Sequence, residues 1–316
     1  MENPLISIIV CTYNRVSMLQ QAISSIFAQK YDPIEIVIID DGSTDNTEKL
    51  IFTYEKKVRY FKKKREGIAK ARNFGAKVAK GEFISFLDDD DLMPENKNVI
   101  LHNSLLKYPN AIFVVGDWLE INQSGDFTGK RSKGQLKIKN KNPILIDNAY
   151  EAVIWPKIPA APHTTLFRKI HGEQINWFDE QYRYASEDKD FFSRLGKLGP
   201  VVYVPEVVSY YRRGHISLTS NYLRARYNKI KFLENHLLKL DSNENVLKNR
   251  LKFRIYLELI RLAYYSSDKE TLQNEIPHNF IKIKLSLLDP ILRYKYLWIS
   301  KIYFPVKRFF KKILFN

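Results

Sequence analysis

Residues 83–91 have the sequence FISFLDDDD, in which an apolar run ends in four consecutive aspartates. The apolar run Phe83–Leu87 is short and partly aromatic, which favours a buried strand. In an open α/β sheet the carboxyl ends of the strands face the ligand crevice. We therefore expect Asp88–Asp91 to lie at the mouth of a cleft.

Four adjacent carboxylates repel one another, and a like-charge pair 4 Å apart costs about 4 kcal/mol at an effective dielectric constant of roughly 20. A hard divalent cation such as Mn²⁺ or Mg²⁺ takes oxygen ligands and removes this cost. The alternative is a solvated acidic turn in which Asp91 interacts with the dipole of a following helix. The run by itself leaves both interpretations open.

Further apolar runs on both sides of this stretch predict an alternation of strands and helices. The predicted strands in the first part of the chain are Leu5–Cys11, Ile34–Ile39, Val58–Phe61, Phe83–Leu87 and Ala111–Val115. Helical periodicity lies between them, which indicates an α/β fold with a mixed, mostly parallel sheet covered on both faces. Further strands are predicted at Thr164–Phe167, Val201–Val204 and Val207–Tyr211, and a helix around Asp188–Leu198. Polar residues dominate 120–150, which predicts an exposed loop.

The positive charge of the chain is concentrated near its C-terminal end. The 316 residues carry a net charge of +16, and residues 221–316 hold 20 of the 51 lysines and arginines but only 8 of the 35 acidic residues. We expect a catalytic domain at 1–220 and a basic helical region at 221–316. A nearly balanced first part argues against a nucleic-acid partner that is bound over the whole surface.

The single cysteine, Cys11, excludes an intrachain disulfide and is compatible with a reducing compartment. The apolar run at the N-terminus lacks a basic leader and a small-residue cleavage site, so we interpret it as a strand and not as a signal peptide. The chain contains no uninterrupted apolar stretch of about 18 residues, the length that predicts a membrane-spanning helix.

Polar residues also follow two other predicted strands. Thr12 and Tyr13 follow the first strand and Asp41 follows the second, and a hydroxyl, a ring and a carboxylate suit the edge and face of a nucleobase. Arg72 lies in a predicted helix and either faces the same cleft or is a surface arginine. Three polar strand ends predict one shared ligand cleft.

Several rival functions lack their motifs. There is no G-x-G-x-x-G after a strand, so a dinucleotide oxidoreductase lacks its pyrophosphate turn. Residues 125–130, GDFTGK, are one residue too short for a P-loop and lack the Ser or Thr after the lysine. No spacing of cysteine and histidine fits zinc.

These motifs together resemble family 2 glycosyltransferases of the GT-A fold, which build bacterial polysaccharides. The resemblance covers about residues 4–215 and depends on four stretches in order, namely VCTYNR at 10–15, DDGSTD at 40–45, ARNFG at 71–75 and FLDDDD at 86–91. It implies a nucleotide-sugar donor, a divalent metal ion and inversion at the anomeric carbon.

The resemblance also implies roles for individual residues. Asp41, the region of Thr12 and Tyr13, and Arg72 would hold the uridine. Asp88 would lie near the ribose and next to the metal, and Asp90 would ligate Mn²⁺ or Mg²⁺. Because the run has four aspartates, its remaining two members, Asp89 and Asp91, are candidates to share the metal.

A family enzyme needs a base, which is usually the aspartate of a Glu-Asp pair at the start of a helix. Glu187 and Asp188 fit that pattern, with Asp188 the candidate base, because an acceptor hydroxyl must lose its proton as it attacks. Their alternative role is that of ordinary acids in the first turn of a helix. His163, Arg212 and His215 are candidates for contacts with the acceptor or the diphosphate, although a lone histidine is more often structural.

The last residues resemble an interfacial helix. Residues 291–316 contain seven basic residues and no acidic one, with apolar residues at helical spacing from Ile302 to Leu314. Such a helix lies on an anionic membrane surface or packs its apolar face on the catalytic domain. We favour the membrane, which predicts a peripheral protein on the cytoplasmic face of the cell membrane.

The sequence therefore predicts an inverting, metal-dependent hexosyltransferase. Its donor would be UDP-glucose or UDP-galactose, and its acceptor a saccharide on a polyprenyl-diphosphate lipid, in lipopolysaccharide, O-antigen or capsule biosynthesis. The alternatives are a non-catalytic protein that binds a nucleotide-sugar or polyanion, and a nucleotidyltransferase. The sequence lacks the early glycine-rich, triphosphate-binding loop of sugar nucleotidyltransferases, which counts against the last alternative.

Overall fold

The structure is a computed structural model that describes residues 2–132, 142–182, 185–214 and 222–265. The described residues up to Gly214 belong to one compact unit, apart from Ala185 and Ser186, and helices α8 (Tyr222–Leu238) and α9 (Asn245–Tyr265) belong to a second. In the second unit, Lys229 of α8 forms a 2.7 Å ion pair with Glu258 of α9, whose carboxylate also binds Arg226. No helix in the described ranges is long and apolar enough to cross a membrane.

The first unit is built on a nine-stranded sheet with helices between the strands. The strands are β1 (Ile6–Thr12), β2 (Ile34–Asp40), β3 (Arg59–Lys62), β4 (Phe83–Asp88), β5 (Phe113–Ile121), β6 (Phe127–Ser132), β7 (Ile144–Ile146), β8 (Thr165–Arg168) and β9 (Val201–Arg212). The helices are α1 (Val16–Phe27), α2 (Thr47–Phe52), α3 (Ile68–Val78), α4 (Lys97–Lys107), α5 (Ala149–Ile154), α6 (Lys169–Gln174) and α7 (Glu187–Leu195).

The sheet has the order β3-β2-β1-β4-β8-β5-β9-β7, and β6 pairs with β5. Strands β3, β2, β1 and β4 are parallel, β9 is parallel to β5, and β8 is antiparallel to both of its neighbours. The predicted α/β class with a mixed, mostly parallel sheet is confirmed.

Alternate residues of the central strands feed two apolar cores, one on each face of the sheet. Ile9 and Phe86 pack on the face that carries α3 and α7, and Val10 and Leu87 pack on the face that carries α1 and α4. Burial on both faces explains the continuous apolar runs. Helix α3 approaches β1 closely at Gly75, where an added Cβ would lie 2.4 Å from the Cγ2 atom of Ile9.

The prediction of an exposed loop or excursion at 120–150 is right about the exposure of residues 126–131 but wrong about the secondary structure in the described part of this segment. Strand β5 continues to Ile121, which is buried and pairs with Arg212 of β9, and the segment also contains β6, β7 and the start of α5. The five residues from Phe127 to Arg131 in β6 are exposed, so the strand shows no alternation of polar and apolar residues. Strand β6 is defined by its pairing with β5, and this pairing is not visible in the sequence pattern.

Candidate active site

The polar ends of β1, β2 and β4 lie side by side at one edge of the sheet. In the parallel register Thr12 is paired with Asp40, and Cys11 with Asp88. The loops after these strands therefore meet, as the sequence predicts for a shared cleft. Asn14 joins two of them, because its N–H donates to Ser43 Oγ and its Oδ1 accepts from the N–H of Thr44.

Asp41 lies at the start of α3 and accepts two backbone hydrogen bonds. Its Oδ1 accepts from the N–H of Glu66 at 2.8 Å and its Oδ2 from that of Gly67 at 2.9 Å. Tyr13 lies under Arg65, whose guanidinium is 3.9 Å from the ring centroid and donates to the tyrosine hydroxyl. A nucleobase contact of either residue remains a prediction.

Arg72 is buried and joins two acidic segments. Its Nη2 donates to Asp88 Oδ1 at 2.6 Å, and its Nη1 donates to Glu187 Oε1 at 2.9 Å. The guanidinium also lies 5.4 Å from the ring centroid of Phe178. The alternative of a surface arginine is therefore wrong, because the side chain of Arg72 is 5% exposed.

The four aspartates separate into two groups. Asp89 is not among the three aspartates whose carboxylate oxygens converge, and it accepts from Thr12 Oγ1 at 2.8 Å and from Arg15 Nη1 at 3.0 Å. Burial is the main cause, and the charge of Asp90 the second, of the raised pKa of Asp89, which is about 7. Arg15 also donates to Asp90 Oδ2 at 2.5 Å. Sequence reasoning gave no role to Arg15, although it ends the first motif.

The other three, Asp88, Asp90 and Asp91, form what we call the aspartate cluster, in which one carboxylate oxygen from each lies within 4.8 Å of the others. Asp91 is fully buried, and its Oδ1 accepts from the N–H of Arg212. Its Oδ2 has no hydrogen-bond partner among the residues that the structure describes. Burial and the neighbouring aspartates raise the pKa of Asp91 well above its usual range. A buried carboxylate oxygen without a partner, beside two further carboxylates, fits a divalent cation.

Behind the aspartate cluster lies a buried polar layer. His163 Nδ1 is 2.8 Å from Ser209 Oγ and 3.6 Å from Asp91 Oδ2, and its ring stacks on Tyr211. Burial lowers the pKa of His163 to about 4, so the ring is neutral at pH 7. Lys97 is also buried and donates to the carbonyl oxygen of His163 at 2.8 Å. The sequence reasoning did not identify Lys97, because a lysine at the start of a helix carries no burial signal.

Arg212 is fixed by protein acceptors. Its side-chain nitrogens donate to the carbonyl oxygens of Asp90, Asn122 and Gln123 and to Gln21 Oε1. Only 1% of the residue is exposed. This arrangement favours a role in holding the loop after β4, and it disfavours the predicted contact with the diphosphate or acceptor. His215 lies outside the described residues.

Glu187 and Asp188 begin α7, as the sequence predicts. Glu187 is buried against Arg72, and burial, followed by the charge of Asp188, raises the pKa of Glu187 to about 7. Asp188 is half-buried, and its Oδ1 accepts from the N–H of Lys189. Arg72 binds both Glu187 and Asp88, and it therefore connects the acidic pair to Asp88.

Comparison with known proteins identifies the family of the chain. The family model described as glycosyl transferase family 2 matches residues 7–170, which is more than half of the chain. The chain therefore belongs to glycosyl transferase family 2. Family membership and the fold support a glycosyltransferase.

The sequence relatives carry the same general description. An uncharacterized glycosyltransferase of Haemophilus influenzae is 29% identical, with 92% of this chain and 94% of that protein covered. One of Rickettsia felis is 27% identical over 91% of this chain, and one of Rickettsia typhi is 33% identical over 65%. The chain spans about half to two thirds of the length of these two Rickettsia relatives, with 48% and 63% of them covered.

Solved structures share the fold. S. aureus TarS 1-349 in complex with UDP-GlcNAc has a TM-score of 0.60 at 18% identity, over 86% of this chain and 74% of that one. The same protein in complex with UDP has a TM-score of 0.59 at 18% identity, over 94% of this chain and 78% of that one.

Proposed function

We propose that this protein is an inverting glycosyltransferase that moves a hexose from a UDP-sugar, UDP-glucose or UDP-galactose, to a saccharide acceptor. One observation carries the proposal. Arg72 donates to both Asp88 and Glu187, so that the aspartate cluster and the Glu187-Asp188 pair form one connected site. A donor diphosphate and an acceptor hydroxyl need these two groups next to each other.

The aspartate cluster is the proposed site for Mn²⁺ or Mg²⁺. Its three carboxylates, one with a buried oxygen that lacks a partner, suit a hard cation. When bound, the ion neutralises the charge that develops on the leaving diphosphate. Arg15, which donates to Asp90, fixes the position of that carboxylate within the cluster.

Asp188 is the proposed general base. The acceptor hydroxyl attacks the anomeric carbon from the face opposite the nucleotide, and the new carbon–oxygen bond forms as the bond to UDP breaks. The hydroxyl proton passes to the carboxylate of Asp188, and UDP leaves with the electron pair. Glu187 orients the start of α7 through its ion pair with Arg72.

The nucleotide is proposed to bind at the edge formed by Thr12, Tyr13 and Asp41, with Asp88 toward the ribose. The bound UDP-GlcNAc and UDP of the TarS structures support a nucleotide-sugar donor for this fold. His163 is neutral and buried beside the aspartate cluster. We therefore propose that it shapes the acceptor side of the cleft as an uncharged group.

The acceptor is proposed to be a saccharide on a polyprenyl-diphosphate lipid, as in lipopolysaccharide or O-antigen assembly. This proposal depends on the basic, amphipathic segment 291–316, which lies outside the described residues. A helix of this composition binds anionic membrane surfaces, which would place the protein on the cytoplasmic face of the cell membrane.

The test is release of UDP by the purified protein. UDP-glucose and UDP-galactose are each supplied with Mn²⁺ and a GlcNAc-diphosphate lipid analogue, and UDP and the elongated lipid are measured together. We expect equimolar UDP and product from one donor. UDP binding without release of UDP from any UDP-sugar would favour the non-catalytic alternative, and release of diphosphate from a sugar phosphate and UTP would favour a nucleotidyltransferase.

A further inference from the structure

A concave groove of about 660 Å³ lies on the surface beside α3, α6 and α7. Its lining includes Lys77 of α3, Glu173 of α6, Arg194 of α7, and the segment 175–180 that connects the last two helices. The mechanism described above uses none of these residues. The groove lies in the first unit, on the same side of the sheet as α3 and α7.

The segment 175–180 has an unusual backbone that the surrounding residues hold in place. Asn176 and Trp177 have φ values of 57° and 55°, a left-handed conformation that residues other than glycine rarely adopt. Arg194 donates to the carbonyl oxygens of Ile175 and Trp177, both at 2.6 Å. Two consecutive strained residues that are fixed by their surroundings are typical of functional loops.

Two adjacent residues in the middle of this segment, Trp177 and Phe178, are held by neighbouring elements. The N–H of Trp177 donates to the carbonyl of Gly172, and an added Cβ at Gly172 would lie 2.3 Å from the indole ring. The side-chain amide of Asn73 donates to the carbonyl of Phe178 and accepts from its N–H, both at 2.9 Å. The groove is therefore preformed, which lowers the entropic cost of binding a ligand.

The lining has the chemistry of a site for a neutral, hydroxyl-rich ligand. Glu173 and Glu180 are exposed carboxylates, Lys77 is an exposed ammonium group, and the indole of Trp177 is half-buried. Within the described residues, the indole Nε1–H of Trp177 and the Nζ of Lys77 donate to no protein group. Carboxylates, free donors and an aromatic ring suit the hydroxyls and the apolar face of a sugar. Because Lys77 and Arg194 line the groove together with Glu173, Asp179 and Glu180, the lining carries charges of both signs and favours no strongly charged ligand.

The groove is joined to the candidate active site through Phe178. The backbone of Phe178 lines the groove, and its ring lies under the guanidinium of Arg72, which binds Glu187. Asn73, which fixes this segment, directly follows Arg72 in α3. Phe178 and Asn73 therefore belong both to the groove and to the packing around Arg72, which makes the groove a neighbour of the candidate active site.

We propose that the groove is a binding site for a neutral oligosaccharide, and that it holds the sugars of the acceptor that precede the reacting one. The second half of this statement rests on the proposed function, whereas the first half does not. The site would make the enzyme prefer longer acceptor glycans over single sugars.

The test uses chitotriose and maltotriose as probes and follows their binding to the full chain by saturation-transfer difference NMR. We expect at least one trisaccharide to bind saturably, and Trp177→Ala to weaken this binding by about tenfold, as expected for the loss of an aromatic contact of about 1.4 kcal/mol. Because Trp177 also packs on Gly172, the double variant Lys77→Gln/Glu180→Gln provides a second test that leaves the packing unchanged. We expect it to weaken binding by a similar factor.

The matched control is Lys80→Gln, an exposed lysine just after α3 and outside the groove, which should bind like the wild type. Failure of both trisaccharides to bind the folded wild type, or equal binding by the double variant, would overturn the proposal. Binding of UDP with Mn²⁺ is measured on the same samples and reports on the proposed function alone. UDP binding without trisaccharide binding therefore rejects the groove and not the transferase.

Discussion

Arg72 donates a 2.9 Å hydrogen bond from Nη1 to Oε1 of Glu187, a residue 115 positions later in the chain. Both residues are buried, so their charges depend on each other for stabilisation. The same arginine binds Asp88 through Nη2. The contact places the start of α7, and with it Asp188, next to the carboxyl end of β4.

The first prediction concerns the base. Asp188→Asn keeps the shape of the side chain but cannot accept a proton, so we expect the rate of transfer to fall by about 10²–10⁴. The affinity for UDP should stay near that of the wild type, and Lys189→Gln, in the same turn of α7, is the control. A parallel loss of UDP affinity and turnover would indicate a structural role for Asp188.

The second prediction concerns pH and Glu187, whose pKa of about 7 exceeds its ordinary value of 4.5 because of burial. Between these values the folded protein keeps a proton that the unfolded chain has released. The free energy of unfolding should therefore fall as pH rises from about 4.5 to 7, because the unfolded chain binds fewer protons than the folded protein in this range.

Urea unfolding of the metal-free wild type and of Glu187→Gln at pH 5, 6 and 7 measures this difference. The Gln variant should lose less stability with rising pH, because it has no proton to release. Parallel pH profiles of the two proteins would contradict the assignment of this titration to Glu187.

The third prediction separates two adjacent arginines. Arg212→Met should lower the free energy of unfolding by about 3 kcal/mol or more, because its buried charge-assisted hydrogen bonds are lost. Arg213→Met should change it by less than about 0.5 kcal/mol, because the Arg213 side chain is 54% exposed. Urea unfolding measures both variants. An Arg212→Met protein of normal stability with weak UDP binding would instead support direct contact with the diphosphate.

The fourth prediction concerns the basic segment near the C-terminus, which lies outside the described residues. Deletion of residues 302–316 should sharply reduce co-sedimentation with anionic liposomes and leave the protein folded with an unchanged melting temperature. Full-length protein should bind the liposomes less well at high salt, because surface charges are screened within about 10 Å at 0.1 M. Replacement of Phe309 and Phe310 by Ser should also weaken binding, at unchanged charge. A much lower melting temperature with unchanged liposome binding would place the segment in the folded core.

The sequence predicted the parallel part of the sheet well, because β1, β2 and β4 are buried on both faces and therefore consist of continuous apolar residues. Their shared polar edge followed from the rule that parallel strands end on the same side. The exposed strand β6 was missed for the opposite reason. Both its faces are in solvent, and its pairing with β5 leaves no periodic pattern.

The buried polar contacts of the site could not be predicted from local sequence. Lys97 binds the carbonyl of His163, 66 positions away, and Arg212 binds Gln21, 191 positions away. Lysine and arginine are mostly exposed in proteins, so neither residue type suggests burial. Only the fold brings these donors to their acceptors, so the sequence suggested Arg212 for the diphosphate or the acceptor and did not predict its contacts with Gln21 and the carbonyl oxygen of Asp90.

The central claim is that the aspartate cluster holds a divalent cation that binds the donor diphosphate. Calorimetric titration of UDP with and without Mn²⁺, in the wild type and in Asp90→Ala, tests it most directly. We predict that Mn²⁺ tightens UDP binding at least about tenfold in the wild type, which is about 1.4 kcal/mol and modest for direct contact between a divalent cation and a diphosphate. EDTA should remove the stimulation of UDP binding by Mn²⁺, and the Asp90→Ala variant should show no such stimulation. Glu95 is an exposed acid outside the cluster, so Glu95→Ala should behave like the wild type. Equal UDP affinity in EDTA and Mn²⁺, or full stimulation by Mn²⁺ in Asp90→Ala, would contradict the claim.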